Sequence, residues 1–306
     1  MIDKSGRRVI RQGDIADTLR SHLATIASEL RPDIREALER AGQKESSPQA
    51  IEVLDMLLRN ADLAATKGLP LCQDTGTVWV LIEAGAKVQT DLRGLQESLD
   101  EVVAEGFAQH HLRASTLRDA LNDRSNPENN TPAFVEYVQL PAQGDPSDYE
   151  LRVHAMLKGA GSDNASELAM LSPGSSEEDI INFVVDHVRA KGVNACPPLI
   201  IGLGVGGSFD KAASLSKRAL LRPLGGPEQK ESQEKGHEPA KDRAVLEQKI
   251  LQRVNELGIG PAGLGGQTTA LAVHIESAPS HIASLPIAVN LCCHSLRSRS
   301  SVLYIK

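Results

Sequence analysis

The stretch LPLCQDTGTVWVLIEAG, residues 69 to 85, constrains the fold of this chain more than any other. Its second half is a short, nearly continuous apolar run with valine, isoleucine and tryptophan, the pattern of a buried strand. Its first half sets a thiol beside an amide, a carboxylate, a hydroxyl and a glycine at the mouth of that strand. A structural cysteine favours apolar neighbours, so Cys72 calls for a chemical explanation.

The surrounding pattern alternates. Residues 1–68 read as mainly helical, because IADTLRSHLATIASEL and IEVLDMLLRNADLAATKG repeat apolar residues at three and four. Ser47 and Pro48 mark the start of the second helix and Gly68 its end. Beyond Cys72, TVWVLIEAG, AFVEYVQL, YELRVHAMLKG, PPLIIGLG, TALAVHIESA and PIAVNL predict strands. LRGLQESLDEVVAEGFAQHHL, SSEEDIINFVVDHVRAKG and FDKAASLSKRALL predict helices. The expected fold class is mixed α/β: a single catalytic domain over residues 1–306 with a helical N-terminal region. Residues 226–243, rich in Gly, Pro, Glu and Lys, are expected to form an exposed charged loop.

Composition narrows the function classes. With 306 residues and 41% hydrophobic content the chain can fill a substantial core. A net charge of −7 argues against a nucleic-acid surface. No uninterrupted apolar run reaches about 18 residues and the first residues lack an apolar signal core, so no membrane span and a cytoplasmic setting are expected. Four cysteines in this length do not make a secreted disulfide framework; thiols or metal ligands are the expectation.

Three of those cysteines recur at one kind of place: Cys72 in LPLCQDTG, Cys196 in VNACPPLIIG and Cys293 in VNLCCHS each join a polar or proline turn to an apolar strand. Strand ends distant in sequence converge at a sheet rim in α/β folds, so three thiols can meet there. Ordinary buried cysteines account for the spacing equally well. An iron–sulfur cube held by three cysteines differs from a saturated one in leaving an iron with an open position, which can act as a Lewis acid.

The chain resembles the α subunit, or cluster-bearing region, of the class I fumarate hydratase and L-tartrate dehydratase family of hydro-lyases. The resemblance rests on LCQDTGT (71–77), NNTPA (129–133), KGAGSDNASELAML (158–171), NACPPLIIGLGVGGSFDKAASLSKRALLRPLG (194–225), LGIGPAGLGGQTTALAVHIESAPSHIASLPIAVN (257–290) and CCHS, in family order. It implies that Cys72, Cys196 and Cys293 ligate a [4Fe-4S] cluster; Cys293 rather than Cys292 stands directly before the histidine. It places Gln73 and Asp74 against cluster and substrate, and makes Arg113 the grip on a substrate carboxylate, a task suited to a bidentate guanidinium. Gly159, Gly161, Ser162 and Asn164 read as a loop just before a helix, whose backbone N–H groups favour an anion. His281, twelve positions before Cys293, corresponds to a family histidine near the substrate, and Asp74 and His281 are the catalytic candidates. His294 is a candidate supporting residue.

GLGVGG (202–207) follows an apolar run but lacks the G-x-G-x-x-G spacing, so it predicts tight strand-to-helix packing rather than a nucleotide site. The implied reaction is reversible hydration of a double bond beside a carboxylate, with fumarate and malate favoured and L-tartrate the alternative. No residue stands out as the base for the carbon-bound proton. The resemblance implies that a β subunit supplies it, within an α2β2 assembly acting on a small dicarboxylate. From another class, a zinc-stabilised or redox-sensing domain closing a site with three cysteines and His281 or His294 remains open.

Overall fold

The apolar run after Cys72 is strand β2 (Thr77–Ala84), buried from Val78 to Ile82. The computed structural model describes residues 9–225 and 238–305. They divide into two compact units assembled from separated stretches of chain. The first takes the residues up to 29, then 64–159, then those from 297 onward; the second takes 30–63 and 160–296. Because the units interleave along the sequence, no composition boundary marks them.

In the first unit a four-stranded sheet has the order β10–β5–β2–β4, with β4 (Phe134–Gln139), β5 (Glu150–Lys158) and β10 (Arg297–Tyr304). β2 runs parallel to β4 and antiparallel to β5, and β10 is antiparallel to β5. A short parallel pair, β1 (Ile10–Arg11) and β3 (Thr90–Asp91), accompanies it. Alternation sends Val78, Val80 and Ile82 to the same face as Val153, Ala155 and Leu157. There they pack with Leu19 and Leu23 of α1 (Gln12–Ile26) and Leu99 and Val103 of α4 (Leu95–Gln109). Burying each such aliphatic side chain stabilises by roughly 1.5–3 kcal/mol.

The second unit holds a sheet of order β6–β9–β7–β8: β6 (Glu167–Leu171), β7 (Leu199–Gly206), β8 (Ala270–Ala278) and β9 (Leu285–Cys292). β7 is parallel to β8 and antiparallel to β9. Its helices are α2 (Pro32–Lys44), most of α3 (Pro48–Lys67), the single turn α5 (Ala160–Asn164), α6 (Glu177–Lys191), α7 (Phe209–Ala219) and α8 (Glu238–Asn255). Helix punctuation matches the sequence. Ser47 Oγ accepts the Ala50 N–H (3.4 Å), and Gly68 follows α3 at φ 63°. Ser176 and Asp179 form a reciprocal capping box at the start of α6.

GLGVGG is a packing device, as its spacing predicts. A Cβ on Gly204 would stand 1.9 Å from the Ala212 carbonyl oxygen, and one on Gly202 2.2 Å from that of Ser216. The backbone of α7 therefore lies directly on β7, which leaves no space there for a ligand.

Three elements depart from the sequence expectation. The predicted loop over 226–243 lies outside the described residues up to 237, but from Glu238 the chain is already helical in α8. The helix expected just after the glycine segment is instead β6, because pairing along β9 overrides a helix-prone composition. The serine- and arginine-rich residues 297–304, to which the sequence pattern assigns no element, are β10, paired with β5 from Arg297 to Tyr304. Among the described residues no helix is long and apolar enough to cross a membrane.

Candidate active site

In the first unit the cysteine loop is fastened at both ends. The Leu71 N–H donates to the Ala27 carbonyl at 2.8 Å. Gly76 adopts φ 82°, and a Cβ there would stand 2.2 Å from the Lys158 carbonyl oxygen and 2.7 Å from the Gly159 nitrogen. Only glycine permits both the left-handed conformation and this approach, so the loop rests on the end of β5. Between these anchors Cys72 and Asp74 are half-buried and Gln73 is exposed.

That contact carries Asp74 to the glycine segment. A Cβ on Gly159 would lie 3.1 Å from Asp74 Oδ2 and 3.6 Å from Arg297 Nη2. Arg113 reaches the same loop through its backbone: its N–H donates to Thr75 Oγ1 at 3.3 Å while its side chain is exposed. Asn130 ties these pieces together. Fully buried at φ 59°, it accepts on Oδ1 from the Ser115 N–H (2.8 Å), the Thr116 N–H (3.2 Å) and Thr116 Oγ1 (3.2 Å). Its Nδ2 donates to the Gly76 carbonyl at 3.1 Å. The segment after Arg113 and the loop carrying Cys72, Gln73 and Asp74 are thus held by one amide side chain. In the sequence NNTPA counts only as a block of the family resemblance, with no role for Asn130 itself; an asparagine, a residue type that tolerates the left-handed conformation, was the available signal.

In the second unit Cys196 and Cys293 flank the same end of a strand pair. Cys196 follows a short turn, Gly192–Ala195, and precedes β7; Ile200 of β7 pairs with Cys292, the last residue of β9. Cys196 is exposed and sits at φ 54°, a conformation that costs a non-glycine residue energy and recurs at functional positions. Register separates the tandem cysteines: Cys292 is 2% exposed inside the ladder, while Cys293 lies just beyond it with Sγ 3.2 Å from Ser295 Oγ. His294 Nδ1 donates to the Cys196 carbonyl at 3.1 Å, which joins the two cysteine segments and places the ring proton on that nitrogen.

The rest of the glycine segment departs from expectation. Residues 160–164 are themselves the helical turn α5, and a strand follows rather than a helix. One turn has no helix-terminal anion site to offer. A Cβ on Gly161 would stand 3.1 Å from the Asn194 carbonyl oxygen, so the turn packs against the segment leading to Cys196. Ser162 is buried, with its carbonyl accepting from Ser166 Oγ (3.1 Å), and Asn164 is exposed. His281 is not brought to Cys293. It lies in the exposed loop before β9, where its Nδ1 accepts the Ala283 N–H at 3.1 Å. A strand the length of β9 spans roughly 26 Å, and Cys293 is at its other end.

Among the described residues no three His, Cys, Asp or Glu side chains gather into a metal-holding group. The donor chemistry nonetheless suits an iron–sulfur group. Cys72, Cys196 and Cys293 are outside disulfides, stand at loop ends and retain exposure, whereas Cys292 is turned into the core.

Residues 16–302 match the fumarate hydratase (Fumerase) family. Relatives include the Methanocaldococcus jannaschii protein named "Putative L(+)-tartrate dehydratase subunit alpha", 35% identical over 280 residues that cover 91% of this chain and 94% of that one. Another is the L(+)-tartrate dehydratase subunit alpha of Escherichia coli K12, 29% identical over 283 residues that cover 92% and 88%. The fold, the polar thiol loop and these matches define an enzyme of the hydro-lyase class. Within that class the chain belongs to the fumarate hydratase (Fumerase) family.

Proposed function

We propose that this chain is the cluster-bearing α subunit of an iron–sulfur hydro-lyase acting on a small hydroxy-dicarboxylate. The observation that carries the reading is the loop of the first unit, where thiol, amide and carboxylate are fixed beside the Arg113 segment and Gly159 by Gly76 and Asn130. The sequence favours fumarate and malate. The named relatives are tartrate dehydratase α subunits, so L-tartrate becomes the first substrate to test, and the family match keeps fumarate as the second reading.

Cys72, Cys196 and Cys293 are the proposed ligands of a [4Fe-4S] cluster, which when bound supplies a Lewis acid for the substrate hydroxyl. The other roles belong to side chains of this chain. Arg113 pairs with a substrate carboxylate and orients it, and negative charge that builds on that carboxylate in the transition state strengthens the pairing. Gln73 and Asp74 hold the polar groups of the substrate beside Gly159, and Gly161, Ser162 and Asn164 complete the binding segment. His281 is a candidate for proton handling, although its place before β9 sets it apart from Cys293. The base for the carbon-bound proton is assigned to a β subunit, because the matched relatives are named as α subunits. An α2β2 assembly in the cytoplasm completes the proposal.

The test is iron and acid-labile sulfide content of anaerobically purified protein, followed by assay of L-tartrate and fumarate with a β subunit present. About four irons and four sulfides with broad absorption near roughly 400 nm, lost in Cys293→Ser but retained in Cys292→Ser, is the expected result. Stoichiometric zinc in folded anaerobic protein would replace this reading with a structural zinc domain.

A further inference from the structure

Arg297 is the residue whose surroundings the hydro-lyase reading leaves unexplained. It opens β10 opposite Leu157, so it points to the helix-covered face of the first unit's sheet, and it is 2% exposed. Its Nε and Nη1 atoms are both buried, and neither has a hydrogen-bond partner among the described residues. A guanidinium carries a permanent charge and five donors. Burying it with two donor nitrogens idle is strongly unfavourable unless an anion arrives to use them.

The position of the third nitrogen says where such an anion sits. Nη2 is 3.6 Å from the point that a Cβ on Gly159 would occupy, and Asp74 Oδ2 is 3.1 Å from the same point. Because residue 159 has no side chain, no Cβ stands between this nitrogen and the point over the glycine that Asp74 also approaches. Asp74 begins the pair Asp74–Thr75, and Thr75 in turn holds the backbone of Arg113. Two arginines are therefore attached to one loop: Arg113 at Thr75, and Arg297 beside Asp74. Two guanidinium groups suit a ligand with two carboxylates.

We infer that Arg297 is an anion-binding residue that receives one carboxylate of a dicarboxylate ligand over Gly159, while Arg113 takes the other. The inference takes the ligand class from the hydro-lyase reading, but the binding site stands on the buried guanidinium alone. A monocarboxylate can satisfy only one of the two arginines, so it binds more weakly.

Calorimetric titration of the full chain with L-tartrate, fumarate and the monocarboxylate propionate tests this, alongside thermal unfolding without ligand. Arg297→Met is expected to weaken dicarboxylate binding at least tenfold and to leave the ligand-free melting temperature unchanged or higher, because a buried cation with idle donors is gone. Arg297→Lys, which keeps the charge and loses the planar fork, is expected to bind at an intermediate level; it also decides the matter if the methionine variant does not fold. A melting temperature lowered by Arg297→Met with dicarboxylate affinity unchanged overturns the proposal and makes Arg297 structural. Equal binding of propionate and L-tartrate, or no binding of either dicarboxylate by wild-type protein, overturns it as well. Arginine-dependent dicarboxylate binding in a protein that, with its β subunit, neither dehydrates L-tartrate nor hydrates fumarate separates the two readings: the anion site stands and the hydro-lyase assignment falls.

Discussion

The two units hold their candidate residues by different means. In the first, Cys72, Gln73, Asp74 and Arg113 lie in irregular chain, fixed by Asn130, Thr75 and the close approach of Gly76 to β5. In the second, Cys196 and Cys293 stand at the paired ends of β7 and β9, and their separation follows from ladder register. A ladder distributes its hold over many backbone bonds, whereas a loop concentrates it in a few side chains. Single polar substitutions should therefore disable the first unit's site locally, and comparable damage to the second requires disturbing the sheet itself.

The largest effect is expected where α7 meets β7. Gly204→Val places side-chain atoms where the Ala212 backbone already stands, with no flexible group able to give way. Overpacking costs typically 1–3 kcal/mol, and a backbone clash this close should cost more than about 3 kcal/mol. Urea unfolding combined with amide exchange should show loss of protection in β7, β8 and α7, with β2 and β5 of the first unit retaining theirs. Equal loss in both units would mean that they unfold as one cooperative body.

How much of this was legible in the sequence follows the same division. β2 and β7 announce themselves as apolar β-branched runs, and the packing role of GLGVGG follows from its failed nucleotide spacing. The start of α6 is visible in Ser176 and Asp179, since a capping box is a local interaction. β10 was hidden because Arg297, Ser298, Arg299 and Ser300 carry no apolar alternation; only β5, far away in sequence, makes them a strand. β6 was hidden for the same reason. At the site, Cys72 was legible from its polar neighbours. Asn130 and Arg297 were not, because one acts through a left-handed backbone conformation and the other through a position opposite Leu157, both set by distant partners.

Asn130→Ala should give the next largest effect and the sharpest test of a loop hung on one side chain. It leaves the buried Thr116 N–H and the Ser115 N–H without their acceptor and the Gly76 carbonyl without its donor. At about 1–3 kcal/mol for each buried group left unsatisfied, partly relieved by water, a net loss of roughly 2–4 kcal/mol is expected. Exchange at Ser115 and Thr116 should accelerate and dicarboxylate binding should weaken, while the second unit's amides stay protected. Asn130→Asp separates the two halves of the interaction: it keeps the acceptor for Ser115 and Thr116 but buries a carboxylate oxygen against the Gly76 carbonyl, so its loss should be at least as large and should shrink only when acid protonates the carboxyl and restores a donor.

The effect that is smallest near neutral pH compares the units through acid. Among the described residues, each buries one histidine with a nitrogen that has no partner: His22 Nδ1 in the first and His274 Nε2 in the second. His22 bonds Ser301 Oγ through Nε2 at 2.8 Å; burial, aided by Arg299 and His154, pushes its pKa down to about 4. His274 donates from Nδ1 to the Ala219 carbonyl at 3.2 Å; burial, aided by Arg222, pushes its pKa down to about 3. Both values lie below the ordinary 6.5, so between pH 6.5 and about 4 the unfolded chain binds more protons than the folded one. Stability should be unaffected by these groups above pH 6.5 and should fall as the pH drops below it. For the deeper His274 the slope should approach about 1.4 kcal/mol per pH unit, and for His22 it should be smaller. Acid should therefore expose β8 before α1 in an exchange experiment between pH 6.5 and 4. His274→Leu should flatten the acid slope of the second unit alone; if the wild-type and variant unfolding curves keep a constant separation across that range, the charge on His274 has no part in the difference between the units.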